Sequence, residues 1–441
     1  MKKIFFYICL LSLGGLTLQS CDKYLDIQPV GTVVPKTIED FRALITRGYS
    51  GFPAHKSLLT LRTDELVVDE YSTDIASIKD LYLWNDVNPD PTTLAMPWEA
   101  LYKSIFYANH IIDNIDKEVG TTTEAKQVKA EAYALRAYAH FEALNMYADT
   151  YSPANADKRG VPLSLHLDLE QKFVPATIGK TYDQIFADVQ EAENLMQLAE
   201  QGELVKYRFS KRSLLAFKAR IYIYRAEWDK ALTATEGALA INSTLEDLNQ
   251  ASSLLPSDFK SKEMVLSLEK SALPTVLNSS FISDDLLGSY DRANDQRFAR
   301  YFQKRGGDYV SLKGGDNQFN VSLRNADLYL MKAEAQAHLN KLTDAKATLA
   351  LLLQKRLKPA YYTTQVNAIA SLDADAFITY LFNERKREFA LEGLRWYDLK
   401  RSTRPQITHY FFGKSYVLQA NDPRYVIRYP KAALENNPDL Q

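Results

Sequence analysis

Glu384, Glu388 and Glu392 recur at four-residue steps, a spacing that on a helix sets all three carboxylates along one face. Such a row could serve general acid–base chemistry or hold a metal ion. Arg385, Arg387 and Arg395 interleave with it, however, and alternating charge at this spacing suits an ion-pair network that locks a helix in place. The role expected of this stretch is structural. Asp64-Glu65 and Asp69-Glu70 are read with the same restraint, because a glycosidase needs two carboxyls facing each other across a bond and adjacency does not supply that. His55, His110, His140, His166, His338 and His409 are scattered, with no pair four residues apart and no cysteine partner, so no metal site is expected. The glycines around Lys304 and Lys313 lack phosphate-loop spacing, no nucleophile elbow occurs, and no cofactor is implied.

Binding chemistry has better candidates. Recognition of a sugar takes an aromatic face to cover a C–H patch and polar side chains to address hydroxyls. Tyr82, Trp84, Asn85 and Asp86 supply both within one irregular stretch that runs from Arg62 to Pro97, and Arg62 shares that loop region. Trp84 would serve equally well as a plug where loop meets helix. Tyr290, Arg292, Tyr301 and Tyr309 form a second, looser set. Trp98, Trp228 and Trp396 sit in periodic helical contexts and are expected in the core.

The elements that must position these residues are mostly helices. From Val128 to Ala148, one stripe of Ala130, Ala134, Ala137, Phe141 and Leu144 and another of Val128, Ala132, Leu135 and Ala139 share a helix, which predicts packing on two sides. Thr181 with Gln184 predicts a capping box opening a helix over Tyr182 to Leu198. Ser210 is placed to cap a helix carrying Leu214, Phe217, Ile221 and Tyr224, and a break at Glu227-Trp228 leads into its partner. Ala326, Leu330, Ala333 and Ala337 line a later helix that ends at Asn340-Lys341, before Ala345, Leu349 and Leu352 line the next. These are tetratricopeptide-like hairpins, which bury their apolar faces by stacking. Between Lys270 and Val321 the pattern gives way to a loop-rich excursion marked by Gly288, Gly306, Gly307, Gly314 and Gly315.

Composition is that of a globular protein: 46% hydrophobic, 24% charged, and a formal net charge of −2 that offers no field to attract nucleic acid. The N-terminus is a separate object. Lys2 and Lys3 precede an apolar stretch from Ile4 to Leu18, too short to span a membrane comfortably, which reads as a secretory signal over residues 1–20. Leu18-Gln19-Ser20-Cys21 resembles a lipoprotein cleavage site, making Cys21 the lipidated first residue of the mature chain. The other cysteine, Cys9, lies in the signal, so no intramolecular disulfide is possible after cleavage.

Along nearly its whole mature length the chain resembles the SusD/RagB family of nutrient-capture lipoproteins. The resemblance is carried by Cys21-Asp22-Lys23-Tyr24-Leu25-Asp26, by Trp98, Tyr102, Ile105, Ala108 and Asn109, and by Glu131 to Tyr147 with Gly160-Val161-Pro162-Leu163. Arg324 to Ala337, Asn383 to Arg401 (the most specific stretch), Tyr429-Pro430 and Asn437-Pro438 complete it. It implies a mostly α fold of tetratricopeptide-like hairpin repeats with long ligand-binding loops and minor β-hairpins. A single domain would cover residues 21–441, with halves at about 21–250 and 260–441. The resemblance also implies a non-enzymatic protein on the outer membrane, cell-surface exposed, that captures an oligosaccharide and delivers it to a SusC-like TonB-dependent barrel transporter. Peptide capture by the same architecture and a tetratricopeptide-type envelope scaffold are the alternatives. A glycan binder should show a shallow aromatic platform, a peptide binder a closed polar cavity, a scaffold an open concave groove, and an enzyme convergent carboxylates in a deep cleft.

The anchor can be checked on the chain alone. Cys21→Ala should move the protein from the membrane to the soluble fraction, because acyl chains would supply the whole attachment. Continued membrane fractionation in cells lacking the transporter would contradict the lipoprotein reading.

Overall fold

The computed structural model describes residues 35–440 apart from residue 169 and residues 315–319, so the signal segment, Cys21 and Gly315 lie outside the described residues. Helices α1 (Ile38–Ser50), α2 (Ile75–Tyr82), α3 (Glu99–Val119), α4 (Thr123–Tyr147) and α5 (Ile178–Leu195) build the N-terminal part. Two antiparallel hairpins follow, α6 (Lys211–Tyr224) with α7 (Trp228–Ile241) and α8 (Asn325–His338) with α9 (Leu342–Leu353). Helices α10 (Pro359–Ala370) and α11 (Ala374–Glu388) and a short helix Arg395–Arg401 close the array. The fold is mostly α, as the periodicity requires. Among the described residues, no helix is long and apolar enough to cross a membrane.

The two stripes of α4 act as expected: Val128, Ala132, Leu135 and Ala139 and the Ala130–Leu144 stripe are all buried, because α1 and α3 pack on one side and α5 on another. Hairpins α6–α7 and α8–α9 stack through α7 and α8, the tetratricopeptide-like spine. Ser210 caps α6 by accepting from the Ser213 N–H, and Asn340 turns α8 into α9 with φ at +60°. The predicted capping box of α5 lies one turn too late. Thr177 caps the helix, and the Thr181 hydroxyl instead donates to the Thr177 carbonyl at 2.8 Å.

The loop-rich excursion carries small strands. Leu66–Val68 (β1) pairs antiparallel with Ser280–Ile282 (β2), and Phe302–Arg305 (β3) with Asp308–Ser311 (β4). Near the C-terminus Ile407–Phe411 (β5) and Lys414–Leu418 (β6) form a two-residue hairpin in which β5 runs beside β1.

A buried charge node holds these parts together. The Glu388 carboxylate accepts from Arg324 Nη1 at 2.6 Å, Arg297 Nη1 at 2.9 Å and Arg356 Nη2 at 2.9 Å. Arg356 also reaches Glu263 at 2.6 Å, Arg297 reaches Asp295 at 2.7 Å, and Glu392 takes Arg324 Nε at 2.9 Å and Lys313 Nζ at 2.8 Å. The predicted network is real, but two features differ from expectation. Helix α11 ends at Glu388, and Glu392 joins the row through a tight turn at Leu391 (φ +61°) and Gly393 (φ +72°), where a Cβ would sit 2.3 Å from Lys56 Cβ. Of the three interleaved arginines, only Arg387 pairs within the row, to Glu384 at 2.6 Å, while Arg385 serves Asp327 and Asp398, and Arg395 serves Asp64.

Burial alone would raise the Glu388 carboxyl, but Arg356, Arg324 and Arg297 outweigh it and hold the group well below the ordinary carboxylate range. Its stabilisation is then fully present above the unfolded-state value near 4.5 and is lost as pH falls below it. Glu388→Ala should cost about 3–5 kcal/mol by stranding the arginines, measured by urea denaturation at neutral pH. The gap to the parent should narrow as the titration is repeated at successively lower pH.

Candidate functional site

The aromatic residues expected to meet ligand are divided by the fold. Trp84 is 2% exposed and donates its indole N–H to the Arg62 carbonyl at 3.1 Å. Its ring lies 4.2 Å from that of His409, whose other face stacks on Tyr82 at 3.9 Å. The expected Trp84 platform is therefore corrected to a buried stack, the plug that its position also allowed. Arg62 is likewise buried, clamped bidentate on Asp86 at 2.7 and 2.9 Å, and Asn85 at the surface donates to Asp80 and to the Asn88 carbonyl. Tyr290 and Tyr301 are buried, the first donating to the Arg387 carbonyl at 2.6 Å, the second beneath Lys313 Nζ. Arg292 is exposed over Phe298 and the half-buried Tyr309. Trp396 is fully buried, and Trp98 and Trp228 are partly so.

What the stack supports lies directly above it. His409 is an inward residue of β5, with Ile407, while Tyr410 points outward and is 63% exposed. The hairpin turn is Phe412-Gly413, both with positive φ (+46° and +71°). Glycine adopts this backbone freely, but a phenylalanine there is strained, and strain of this kind concentrates at functional positions. Phe412 is 52% exposed and meets Tyr71, 84% exposed, edge to face at 5.6 Å. The Tyr71 loop is pinned by Ser72 Oγ to Ser279 Oγ at 2.6 Å and by the Asp69 N–H to the Ser279 carbonyl at 2.8 Å, while the Phe412 N–H donates to Glu70. Tyr71 and Phe412 thus form a shallow, solvent-facing aromatic platform with Asp69 and Glu70 at its edge, and Tyr410 is exposed separately on the outward face of β5.

The supports are polar and fixed. Burial pushes the Tyr82 phenol up to about 12, with the backbone of Tyr410 and Val68 hydrogen-bonded to it across β5 and β1. Both nitrogens of His409 face backbone carbonyls, Tyr82 at 2.7 Å and Thr63 at 2.8 Å, which two ring N–H groups satisfy in full. Burial works against that charged form and lowers its pKa, with the two carbonyl contacts opposing.

Sequence had set these residues apart. Tyr71 lies in the irregular Arg62–Pro97 stretch, and the signal for the hairpin that meets it is Phe412-Gly413 between two alternating runs. A larger concavity of about 1190 Å³ lies elsewhere, beside Trp98, Tyr102, Phe173 and Leu440. Its Trp98 ring is already engaged by Tyr102, Tyr147 and Tyr429 at 4.5, 5.2 and 4.8 Å, whereas the Tyr71 and Phe412 rings stand largely in solvent.

The carboxylates that sequence offered for acid–base work are committed internally. Asp64 is bridged by Arg395 at 2.7 Å and Lys386 at 3.0 Å. Burial raises Glu65 to about 7, yet it is sealed from solvent and accepts from the Leu391 N–H at 3.0 Å. One histidine is less isolated than its sequence neighbours suggest: His55 Nε2 lies 2.8 Å from Glu142 and 3.3 Å from Glu269. Lys56 Nζ binds Glu269 at 2.6 Å and the Tyr397 hydroxyl binds Glu142 at 2.8 Å, so this buried cluster is an ion-pair brace between helices.

Residues 23–223 match a family described as "Starch-binding associating with outer membrane", and residues 285–439 match the SusD family. A SusD-like protein, P38, of Formosa agariphila is 24% identical, the alignment covering 90% of this chain and 91% of that one. A crystal structure of a SusD superfamily protein from Bacteroides thetaiotaomicron superposes with a TM-score of 0.77 at 19% identity, covering 92% of this chain and 99% of that one. A laminarin-binding SusD-like protein superposes with a TM-score of 0.62 at 19% identity, covering 83% of this chain and 92% of that one. With both halves of its sequence matched and its helical array shared, the chain belongs to the SusD/RagB family, whose members are carbohydrate-binding proteins associated with the outer membrane.

Proposed function

We propose that this protein, anchored through Cys21, captures an oligosaccharide at the cell surface on the Tyr71–Phe412 platform and passes it to a TonB-dependent barrel transporter. No bond is made or broken in this role. The observation that carries the proposal is the platform itself: two exposed rings held on a hairpin turn and a pinned loop, beside the Asp69 and Glu70 carboxylates, each of which accepts one backbone N–H and keeps a second oxygen for a hydroxyl. Ring faces cover the apolar side of a pyranose, and Glu70 and Asp69 address its hydroxyls. The laminarin-binding neighbour lends support at the level of ligand class. A shallow, open geometry suits a chain passed onward, since few contacts need be broken at release.

Tyr71→Ala and Phe412→Ala should each weaken binding of the best glycan found in an oligosaccharide screen by roughly 1–3 kcal/mol with little change in melting temperature. Trp84→Ala should do the reverse, costing about 3–5 kcal/mol of stability through cavity formation. Calorimetric titration and thermal melting separate the two. Full glycan affinity in both platform variants would move the site elsewhere. Should those variants instead lose co-purification with the barrel transporter, the platform would be a transporter-docking surface.

A further inference from the structure

Charge around the platform is unevenly disposed. Asp69 and Glu70 flank Tyr71, and neither forms an ion pair among the described residues. Asp74, exposed, closes the same loop. Four cations in the layer beneath are neutralised: Arg62 by Asp86 at 2.7 Å, Arg395 by Asp64 at 2.7 Å, Lys386 by Asp64 at 3.0 Å, and Arg424 by Asp422 at 2.6 Å. Arg62 is fully buried as well, with its Nη2 also given to the Arg424 carbonyl, so it cannot rise to meet a ligand. At the turn itself Lys414 is exposed, a lone flexible ammonium against the loop carboxylates.

Anionic polysaccharides are recognised by uncommitted guanidinium or ammonium groups, preferably bidentate. Around the platform the loop carboxylates Asp69, Glu70 and Asp74 outnumber the one turn ammonium, Lys414, a balance that disfavours a polyuronate or sulfated chain, while the same carboxylates are good acceptors for neutral hydroxyls. Resting on the platform reading above, we infer that the ligand is a neutral glycan and that Asp69 and Glu70 exclude acidic ones. Glu70 has a second part: it holds the strained Phe412 turn through the backbone N–H while its other oxygen stays available to the sugar.

The test compares neutral malto-, laminari- and xylo-oligosaccharides with galacturonate and guluronate oligomers of equal length, by calorimetry on the mature chain at low ionic strength. At least one neutral series should bind about tenfold or more tightly than either uronate, with the gap shrinking as salt is added. In the Asp69→Asn, Glu70→Gln double variant the gap should shrink without salt, since both amides keep acceptor oxygens for hydroxyls and for the Phe412 N–H. Uronates binding as tightly as the neutral chains, with that binding lost in Tyr71→Ala, would overturn the charge selection and leave the platform standing. Binding of neither class would overturn the platform reading and this inference with it.

Discussion

Arg297, Arg324 and Arg356 enter the protein from three separate segments and converge on the carboxylate of Glu388, at the last turn of α11. Removing so many charges from water costs several kcal/mol per ion, and the cost is offset only when every partner is in place with good geometry. Here each cation has a second carboxylate: Asp295 for Arg297, Glu392 for Arg324 and Glu263 for Arg356. Apolar packing of equal volume is often as stable as a buried ion-pair cluster, so the distinctive contribution of the node is register. It admits one arrangement of α8, α11, the short helix Gln296–Tyr301 and the strand at Met264–Leu266, and penalises any slip by an unpaired buried charge.

From that node the binding face can be traced contact by contact. The turn after Glu388 presents the Leu391 N–H to Glu65, and Lys386 and Arg395 grip the neighbouring Asp64. Segment 62–65 is thereby fixed, and its carbonyls receive the Trp84 indole at Arg62 and the His409 ring at Thr63. The Tyr82–His409–Trp84 stack then sets the height and tilt of the β5–β6 hairpin, and the hairpin turn meets Tyr71 across the gap. The charge node and the exposed rings share no residue, yet the second is aimed by the first.

Much of the helical array was legible because it is a local property. The α4 stripes, the Ser210 cap and the Asn340 turn each need only a few neighbours in sequence, and each is where the pattern places it. The α5 cap slipped by a turn because Thr177 and Thr181 are equally good capping residues, and the choice falls to the strand pairing of Arg159 with Thr177 just before it. The glutamate row announced an ion-pair network but not its members, since Arg297, Arg324 and Arg356 are distant in sequence and nothing local marks them. Trp84 misled for a related reason: an irregular segment leaves no helical period to reveal burial, and the ring that covers it, His409, comes from the far end of the chain.

The same economy separates capture from turnover. Hydrolysis of a glycosidic bond asks for two carboxyls across the substrate, one of them held protonated by its surroundings. Glu65 has the raised pKa for that task but sits sealed beneath Leu391, and Asp64 beside it is locked to Arg395 and Lys386. At the surface, Asp69 and Glu70 are neighbours on one loop rather than opposed, and Glu70 is engaged by the Phe412 backbone. What the surface offers instead is order. Strain at Phe412 is met during folding by the hairpin ladder, the Glu70 contact and the stack below it, so the rings lose little conformational freedom when a sugar arrives. Binding that starts from a fixed, shallow face needs no closure, which fits the proposed role of capture and delivery.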